Sequence, residues 1–326
     1  MKAVWYERNG HADILEYGEM PDPEPGPGEV RVRVIASGVN PSDWKRRQGL
    51  TNQIEFPRVI PNQDGAGLID AVGSGVLQSR IGERVWLFES QFARPFGTGA
   101  EYTVQPGGHA VRLPENTSFE MGAGLGVPAM TAHRCVFADG PVTGKTVLVT
   151  GGAGAVGHYA VQLAKLGGAM VIATVSSPEK GQIATAAGAD HIINYREGDT
   201  AAKIFDVTDG SGVDHIVEVD MAANFAVSQQ VLRSSGVLAV YSAGSAQGPS
   251  VPLKFRSTNV TLRMVLVYDM PEPAKTAAIN DITTWLENGR LTEFEGPHFP
   301  LEQLKDAHLA VEGGAIGKVT VAVGSI

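Results

Sequence analysis

Thr146-Val147-Leu148-Val149-Thr150-Gly151-Gly152-Ala153-Gly154-Ala155-Val156-Gly157 is the stretch on which the fold turns. A short β-branched run reads as a buried strand, and the apolar periodicity of His158 to Leu166 reads as a helix. Between them Gly152, Gly154 and Gly157 have GxGxxG spacing. In such a strand–turn–helix the first glycine makes the tight turn. The second lets backbone approach a diphosphate, and the third lets helix and strand pack closely. Unpaired N–H groups at the helix start, here at Ala155 and Val156, are suited to an anion. A second strand candidate, Val171 to Val175, follows at the right distance, so the stretch reads as a dinucleotide cradle. The alternative is a glycine turn required only for packing.

Moving toward the C-terminus, the alternation continues. Glu179 to Ala187 has helical character, and His191-Ile192-Ile193, His215 to Val219 and Gly236 to Val240 read as further strands. A βαβ series of this kind implies a mostly parallel sheet covered by helices. Toward the N-terminus, Met121 to Ala138 is apolar on a helical spacing. Residues 1–120 differ in character. Val30-Arg31-Val32-Arg33-Val34 alternates, Arg84 to Phe88 and Glu101 to Gln105 resemble strands, and glycines punctuate the short runs, so this part reads as mainly β. Ala274 to Glu287 and Leu301 to Val311 read as helices, and Lys318 to Val323 as a last strand, expected to rejoin the first domain.

The end of the second cradle strand bears on which dinucleotide fits. An acidic side chain there holds the adenosine ribose hydroxyls of NAD. This strand ends Ala173-Thr174-Val175-Ser176-Ser177 with no Asp or Glu, and Lys180 follows. Two hydroxyls and a cation suit the extra phosphate of NADP. Ser176-Ser177-Pro178 also reads as a helix cap with Lys180 facing solvent, and the two readings are compatible.

Composition bounds the rest. The 326 residues exceed what one core usually holds, so two domains are expected. Acidic residues outnumber basic ones 35 to 26, which argues against a broad nucleic-acid surface. Cys135 is the single cysteine, so no intrachain disulfide can form. Met1-Lys2-Ala3-Val4-Trp5-Tyr6 does not open a secretory signal, and no run of 18 apolar residues occurs. The expectation is a cytoplasmic protein without a membrane span.

Several motifs together resemble the medium-chain dehydrogenase/reductase superfamily, and within it the zinc-free quinone oxidoreductase branch that includes zeta-crystallin. They are Ser37-Gly38-Val39-Asn40-Pro41-Ser42-Asp43, Asp64-Gly65-Ala66-Gly67, Gly82-Glu83-Arg84-Val85, Pro128-Ala129-Met130-Thr131-Ala132 and the cradle through Gly188-Ala189-Asp190, with Ile193-Asn194-Tyr195-Arg196 beyond it. The resemblance covers essentially the whole chain. It implies an α/β protein with a groES-like, mainly β catalytic domain (residues 1–121 and 290–326), interrupted by a Rossmann domain (122–289). The active site would lie between the domains, and the chain would form a homodimer through the edges of its cofactor-domain sheets.

The resemblance also implies site residues. Asn40 and Gln63 stand where zinc alcohol dehydrogenases carry a cysteine and a histidine ligand, and the cysteine-rich structural-zinc lobe is missing after Trp86, so no metal is expected. Lys180 and Tyr195 match positions that hold the adenosine 2′-phosphate, although Tyr195 also reads as an ordinary surface aromatic. Thr131 matches a position near the nicotinamide, and Val240, Ser242 and Gly244 match the wall beside the cofactor. Relatives often carry a tyrosine about where this chain has Lys45, which departs from a typical quinone pocket. The implied reaction is hydride transfer from NADPH to a quinone, with Asn40 and then Lys45 as candidate donors to the developing oxyanion. Asn40 alternatively holds a loop, and Asp43 reads as a loop anchor. Arg256 and Arg263 suit a phosphate contact or a surface or interdomain role equally. Two other readings are an NADPH-dependent reductase of conjugated enones or enals, and a largely noncatalytic nucleotide- or RNA-binding relative.

Overall fold

Thr146–Val149 is buried along its whole length. It lies inside a six-stranded sheet in the computed structural model, which describes residues 1–242, 244, 251, 255 and 257–324. Across that sheet the strands run His191–Asn194, Met170–Val175, Thr146–Val149, Val213–Glu218, Leu232–Val240 and Thr261–Met264. Every neighbouring pair is parallel. In chain order this is the 3-2-1-4-5-6 arrangement of a dinucleotide-binding sheet, whose order reverses beside the first strand. Burial on both faces explains the near-continuous apolar runs seen in sequence. Leu148, Ile172, Ile193, Ile204, Ile216 and Leu238 belong to one buried cluster of this unit.

The other unit is built on an antiparallel framework. Glu29–Gly38 pairs with Asp64–Val72 and with Tyr102–Pro106. It also pairs with the C-terminal strand Lys318–Ala322, in the register Thr320 to Gly38, Val321 to Ser37 and Ala322 to Ala36. The last strand therefore does rejoin the first sheet, as its isolation at the end of the chain suggests. That pairing carries Lys318 to the mouth of the loop that begins at Val39.

The chain divides into residues 1–127 with 279–326, and residues 128–278. The family resemblance implies cuts at 121/122 and about 289/290. The later first cut has a local cause. Val127 N–H donates to the buried Asp64 carboxylate at 2.9 Å, and a methyl group on Gly38 would collide with the Ala123 carbonyl, so residues 123–127 pack with the first unit. At the second cut, the helix Glu272–Glu287 runs through the boundary, and Asn116 donates to the Leu286 carbonyl at 3.0 Å.

The apolar stretch 121–138 is not one helix. Phe119–Gly122 is a short helix, Leu125–Ala129 a wide π-helical turn containing Pro128, and Met130–Phe137 a regular helix. Pro128 supplies no N–H, so an unbroken α-helical ladder cannot pass through it. No helix among the described residues is long and apolar enough to cross a membrane.

Candidate functional site

The nucleotide cradle forms at the carboxyl end of the parallel sheet. The chain leaves the first strand at Thr150, whose hydroxyl donates to Glu218 at 2.9 Å. The left-handed residue of the turn is Gly151, at φ +67°. This corrects the sequence reading, which gives the tight turn to Gly152. Gly152 instead donates to the Thr174 carbonyl at 3.0 Å, and an added Cβ would stand 2.7 Å from Ala173 Cβ. It is glycine because the second strand passes against it. Gly154 caps the helix Ala155–Leu166 in an extended conformation and is exposed. An added Cβ there would meet only the Gly151 carbonyl, at 3.3 Å, so the space above Gly154 is open to a ligand. Gly157 is buried, and a Cβ on it would collide with the Gly151 carbonyl. The N–H groups of Ala155 and Val156 lie in the first helical turn, where geometry provides no carbonyl within the helix. Such N–H groups are suited to an anion such as a diphosphate.

Around the cradle, Ser177 caps the helix Pro178–Ala186 by accepting the Lys180 N–H at 3.3 Å. The capping role is thus present, and it leaves the Ser177 hydroxyl proton available to a phosphate oxygen. Ser176 is half-buried beside it. The Lys180 side chain makes no ion pair with any described residue. Tyr195 is 49% exposed and donates its backbone N–H to the Val175 carbonyl at 3.1 Å, which brings it to the end of the second strand. Ser176, Ser177, Lys180 and Tyr195 therefore lie near the end of the second strand, which itself carries no acid, although Glu179 precedes Lys180 and Glu197 accepts from Asn194 at 2.6 Å. Val240 is buried, and the Ser242 carbonyl accepts the Met221 N–H at 3.2 Å. Gly244, at φ +73°, lies so close to the Asp220 carboxylate that any Cβ would collide with it. Thr131 is buried on the helix Met130–Phe137. Arg263 is paired with Asp139 at 2.5 Å, and Arg256 lies outside the described residues.

Glu218 reads in sequence only as part of a strand. It is fully buried, and its carboxylate accepts from Thr150, the Asp220 N–H (2.7 Å), Asn224 (2.8 Å) and Ser228 (3.4 Å). This carboxylate ties together the carboxyl ends of the first and fourth strands and the helix Met221–Val231. The signal in sequence is a charged residue inside the apolar run Ile216-Val217-Glu218-Val219.

In the other unit Asn40 is 1% exposed, and both atoms of its amide are engaged. Its Nδ2 donates to Asp64 Oδ2 at 2.8 Å, and its Oδ1 accepts from Lys318 Nζ at 2.7 Å. Lys318 Nζ also donates to Asp64 Oδ2 at 3.1 Å. Gly38 lets the lysine pass, since a Cβ there would lie 2.8 Å from Lys318 Cε. The Asn40 N–H donates to Asp43 Oδ2 at 2.7 Å, so Asp43 anchors the start of the helix Pro41–Gln48. Burial raises the Asp64 pKa, an effect that Lys318 and Asn40 oppose. Burial and then Asp64 push Asp43 up to about 7. Lys45 is not part of this cluster; its ammonium lies 5.7 Å from the Trp44 ring centroid. Gln63 is buried, donates to the Gln91 side chain at 3.3 Å and accepts the Gln91 N–H at 3.1 Å. Among the described residues no group of three or more His, Cys, Asp or Glu side chains converges on a common point.

Two family models match the chain: the alcohol dehydrogenase GroES-like domain over residues 26–115, and zinc-binding dehydrogenase over residues 155–283. The second match falls on a stretch that contains no cysteine. Quinone oxidoreductase of Pseudomonas aeruginosa is 32% identical over 249 residues, 76% of this chain and 74% of that protein. A 2-haloacrylate reductase of a Burkholderia species is 32% identical over 259 residues, 78% of this chain and 76% of that protein. Among solved structures, an NAD-dependent alcohol dehydrogenase superposes with a TM-score of 0.89 at 30% identity, covering 99% of this chain and all of the other. Escherichia coli quinone oxidoreductase complexed with NADPH superposes with a TM-score of 0.86 at 25% identity, covering 99% of this chain and all of the other.

Proposed function

Since the chain belongs to the medium-chain dehydrogenase/reductase superfamily and is related to its quinone oxidoreductases, we propose that it reduces quinones with NADPH and without a zinc ion. The observation that carries this reading is the cradle Gly151–Gly157, next to a strand that ends in Ser176 and Ser177 without an acid and has Lys180 and Tyr195 nearby. An acid at that corner would repel a 2′-phosphate, whereas a lysine without an ion pair attracts one. NADP(H), which the Escherichia coli relative binds in its solved structure, is accordingly the cofactor. When bound, it supplies the hydride. The chain's own residues hold it: the N–H groups of Ala155, Val156 and Gly157 at the diphosphate, and Ser176, Ser177, Lys180 and Tyr195 at the 2′-phosphate. Thr131, Val240, Ser242 and Gly244 line the remainder. Asn40 acts in this reading by fixing Lys318, whose third N–H is not spent on any described residue. That N–H is the candidate donor to the oxyanion formed when the acceptor takes hydride.

A reductase of conjugated double bonds is the second reading, favoured by the similarity to the 2-haloacrylate reductase. Steady-state NADPH oxidation with a naphthoquinone and with an α,β-unsaturated ketone separates the two. Quinone turnover is expected; turnover of the ketone alone would transfer the assignment. In the same assay Lys180→Ala should weaken NADPH by about tenfold or more, since a hydrogen bond to a charged group contributes roughly 1.5–3 kcal/mol, and should leave NADH unchanged. Equal losses for both cofactors would remove Lys180 from the phosphate site.

The same proposal includes a homodimer in the cytoplasm. Thr261–Met264 is an edge strand of the six-stranded sheet, and Leu262 and Met264 are exposed on it. An open apolar edge is a template for pairing with a second copy. Sedimentation velocity should give twice the chain mass, shifting to one chain mass in Met264→Glu. A monomeric wild type would rule the dimer out.

A further inference from the structure

The unit that holds Asn40 and Lys318 contains a line of fully buried polar side chains. Arg47, His308, Asn62, Ser37 and Thr98 are each 0% exposed. Arg47 Nε donates to His308 Nδ1 at 3.4 Å, and His308 Nε2 lies 2.9 Å from Asn62 Oδ1. Asn62 Nδ2 donates to Ser37 Oγ at 2.9 Å, Ser37 Oγ lies 2.7 Å from Thr98 Oγ1, and Thr98 Oγ1 donates to the Asp64 carbonyl at 2.6 Å.

Chemistry allows this line to run in one direction only. A guanidinium has no acceptor, so His308 Nδ1 must present its lone pair to Arg47. The neutral ring then carries its proton on Nε2, which requires the carbonyl oxygen of Asn62 opposite it. That orientation turns the Asn62 NH₂ toward Ser37. Ser37, having accepted, gives its proton to Thr98, and Thr98 gives its own to the Asp64 carbonyl. Reversing any link would set two donors or two acceptors face to face in a buried site, at the full cost of unsatisfied groups.

The far end of the line is the residue on which the candidate site depends. Asp64 holds Asn40, Lys318 and the Val127 N–H through its carboxylate. Its carbonyl is the terminus of the chain of hydrogen bonds. Asn62, two residues earlier, has φ +78°, a left-handed conformation that asparagine adopts more readily than most non-glycine residues. His308 and Ser37 grip its side chain from opposite ends. The ring is fully buried. Burial and Arg47 depress its pKa to about 3.

We propose that His308 is a positioning residue for the Asn40–Asp64–Lys318 cluster, acting through the one-way hydrogen-bond chain His308, Asn62, Ser37, Thr98, Asp64. It touches neither substrate nor cofactor. The inference deepens the proposed function only in its kinetic consequence. Its structural content stands apart from that function, so the two can fail separately.

The test begins with long-range ¹H–¹⁵N correlation spectra of the full-length protein, with His308 assigned by comparison with His308→Gln. The Nε2–H neutral tautomer is expected, unchanged from pH 5 to 8. An Nδ1–H tautomer, or titration near pH 6.5, overturns the chain's direction. Kinetics supply the second measurement. His308→Leu should lower kcat by roughly tenfold or more, since displacing a reacting group by a fraction of an ångström is enough for that, while NADPH affinity changes by less than about twofold. His308→Gln, which restores a donor toward Asn62, should recover most of the loss. Ser37→Ala should cost about as much as His308→Leu, and the double variant no more than either. Additive losses, or no rescue by glutamine, reject coupling through the chain. If His308→Leu does not fold, Thr98→Val, Ser37→Ala and their combination supply the cycle, with the double variant again losing no more than either single one, and the spectra still test His308. If the wild type reduces no acceptor, the spectra and a cycle of unfolding free energies decide the inference without turnover.

Discussion

Lys318→Met is expected to cost about 3–5 kcal/mol of folding stability at pH 8, because it leaves the Asp64 carboxylate buried without its counter-charge. Asp64 is 0% exposed, and Lys318 is the only cation bonded to it among the described residues. The loss should depend on pH. Burial already raises the Asp64 pKa in the folded protein, and removing the ammonium raises it further. Between the unfolded value of ~3.9 and the raised folded value, the native state binds the extra proton, so stability falls as pH rises through that window. Asp43, pushed up to about 7 and close enough to be influenced by Asp64, adds a change of the same sign. The deficit of Lys318→Met against wild type should therefore be smaller at pH 5 than at pH 8 in urea unfolding. Adding Asp64→Asn to Lys318→Met should restore part of the loss at pH 8. A deficit under about 1 kcal/mol, or one independent of pH, would mean that the cluster is not the buried ion pair its geometry describes.

Gly157→Ala and Gly154→Ala should separate the cradle's packing from its binding. At Gly157 the new methyl collides with the Gly151 carbonyl, a backbone atom that can yield only by moving the turn. Overpacking of this kind costs about 1–3 kcal/mol of stability. NADPH affinity should fall by roughly 10- to 100-fold, about 1.4–2.8 kcal/mol, because the first-turn N–H groups move with the turn. At Gly154 the methyl meets only the Gly151 carbonyl at 3.3 Å, and the backbone is already in an ordinary extended conformation. Stability should hold within about 0.5 kcal/mol while NADPH binding is lost to a similar degree, the methyl now occupying ligand space. Calorimetry and urea unfolding on both variants make the check. Wild-type binding by Gly154→Ala would show that the diphosphate does not approach the backbone at Gly154, and the cradle would lose that part of its assignment.

Features carried by local pattern are legible in the chain alone. The β-branched run at 146–149, the glycine spacing after it and the helix beyond form one unit within a dozen residues. So do the acid-free strand end at Ser176 and Ser177 and the helix cap that Ser177 provides. Local pattern misleads where a neighbour in space decides. The tight turn belongs to Gly151 because Gly152 is occupied by its contact with Ala173, a fact about the adjacent strand. The apolar stretch 121–138 breaks at a π-helical turn, with Pro128 in it, although its periodicity is helical. Asn40 stands out through a family motif, yet the motif is silent on what its amide bonds. Lys45 is next to Trp44 in sequence and in space, away from the buried cluster.

The sequence by itself determined the parallel sheet, the glycine-rich turn after its first strand and the acid-free end of its second strand, because strand period, glycine spacing and the absence of an acid are properties of neighbours along the chain. Tertiary structure alone decided the polar interior of the other unit. Lys318 meets Asp64 across 254 positions and Asn40 across 278, and His308 meets Asn62 across 246. Such pairs form because a buried charge or amide must find a partner wherever the fold offers one, and no periodicity in the chain records which partner that is.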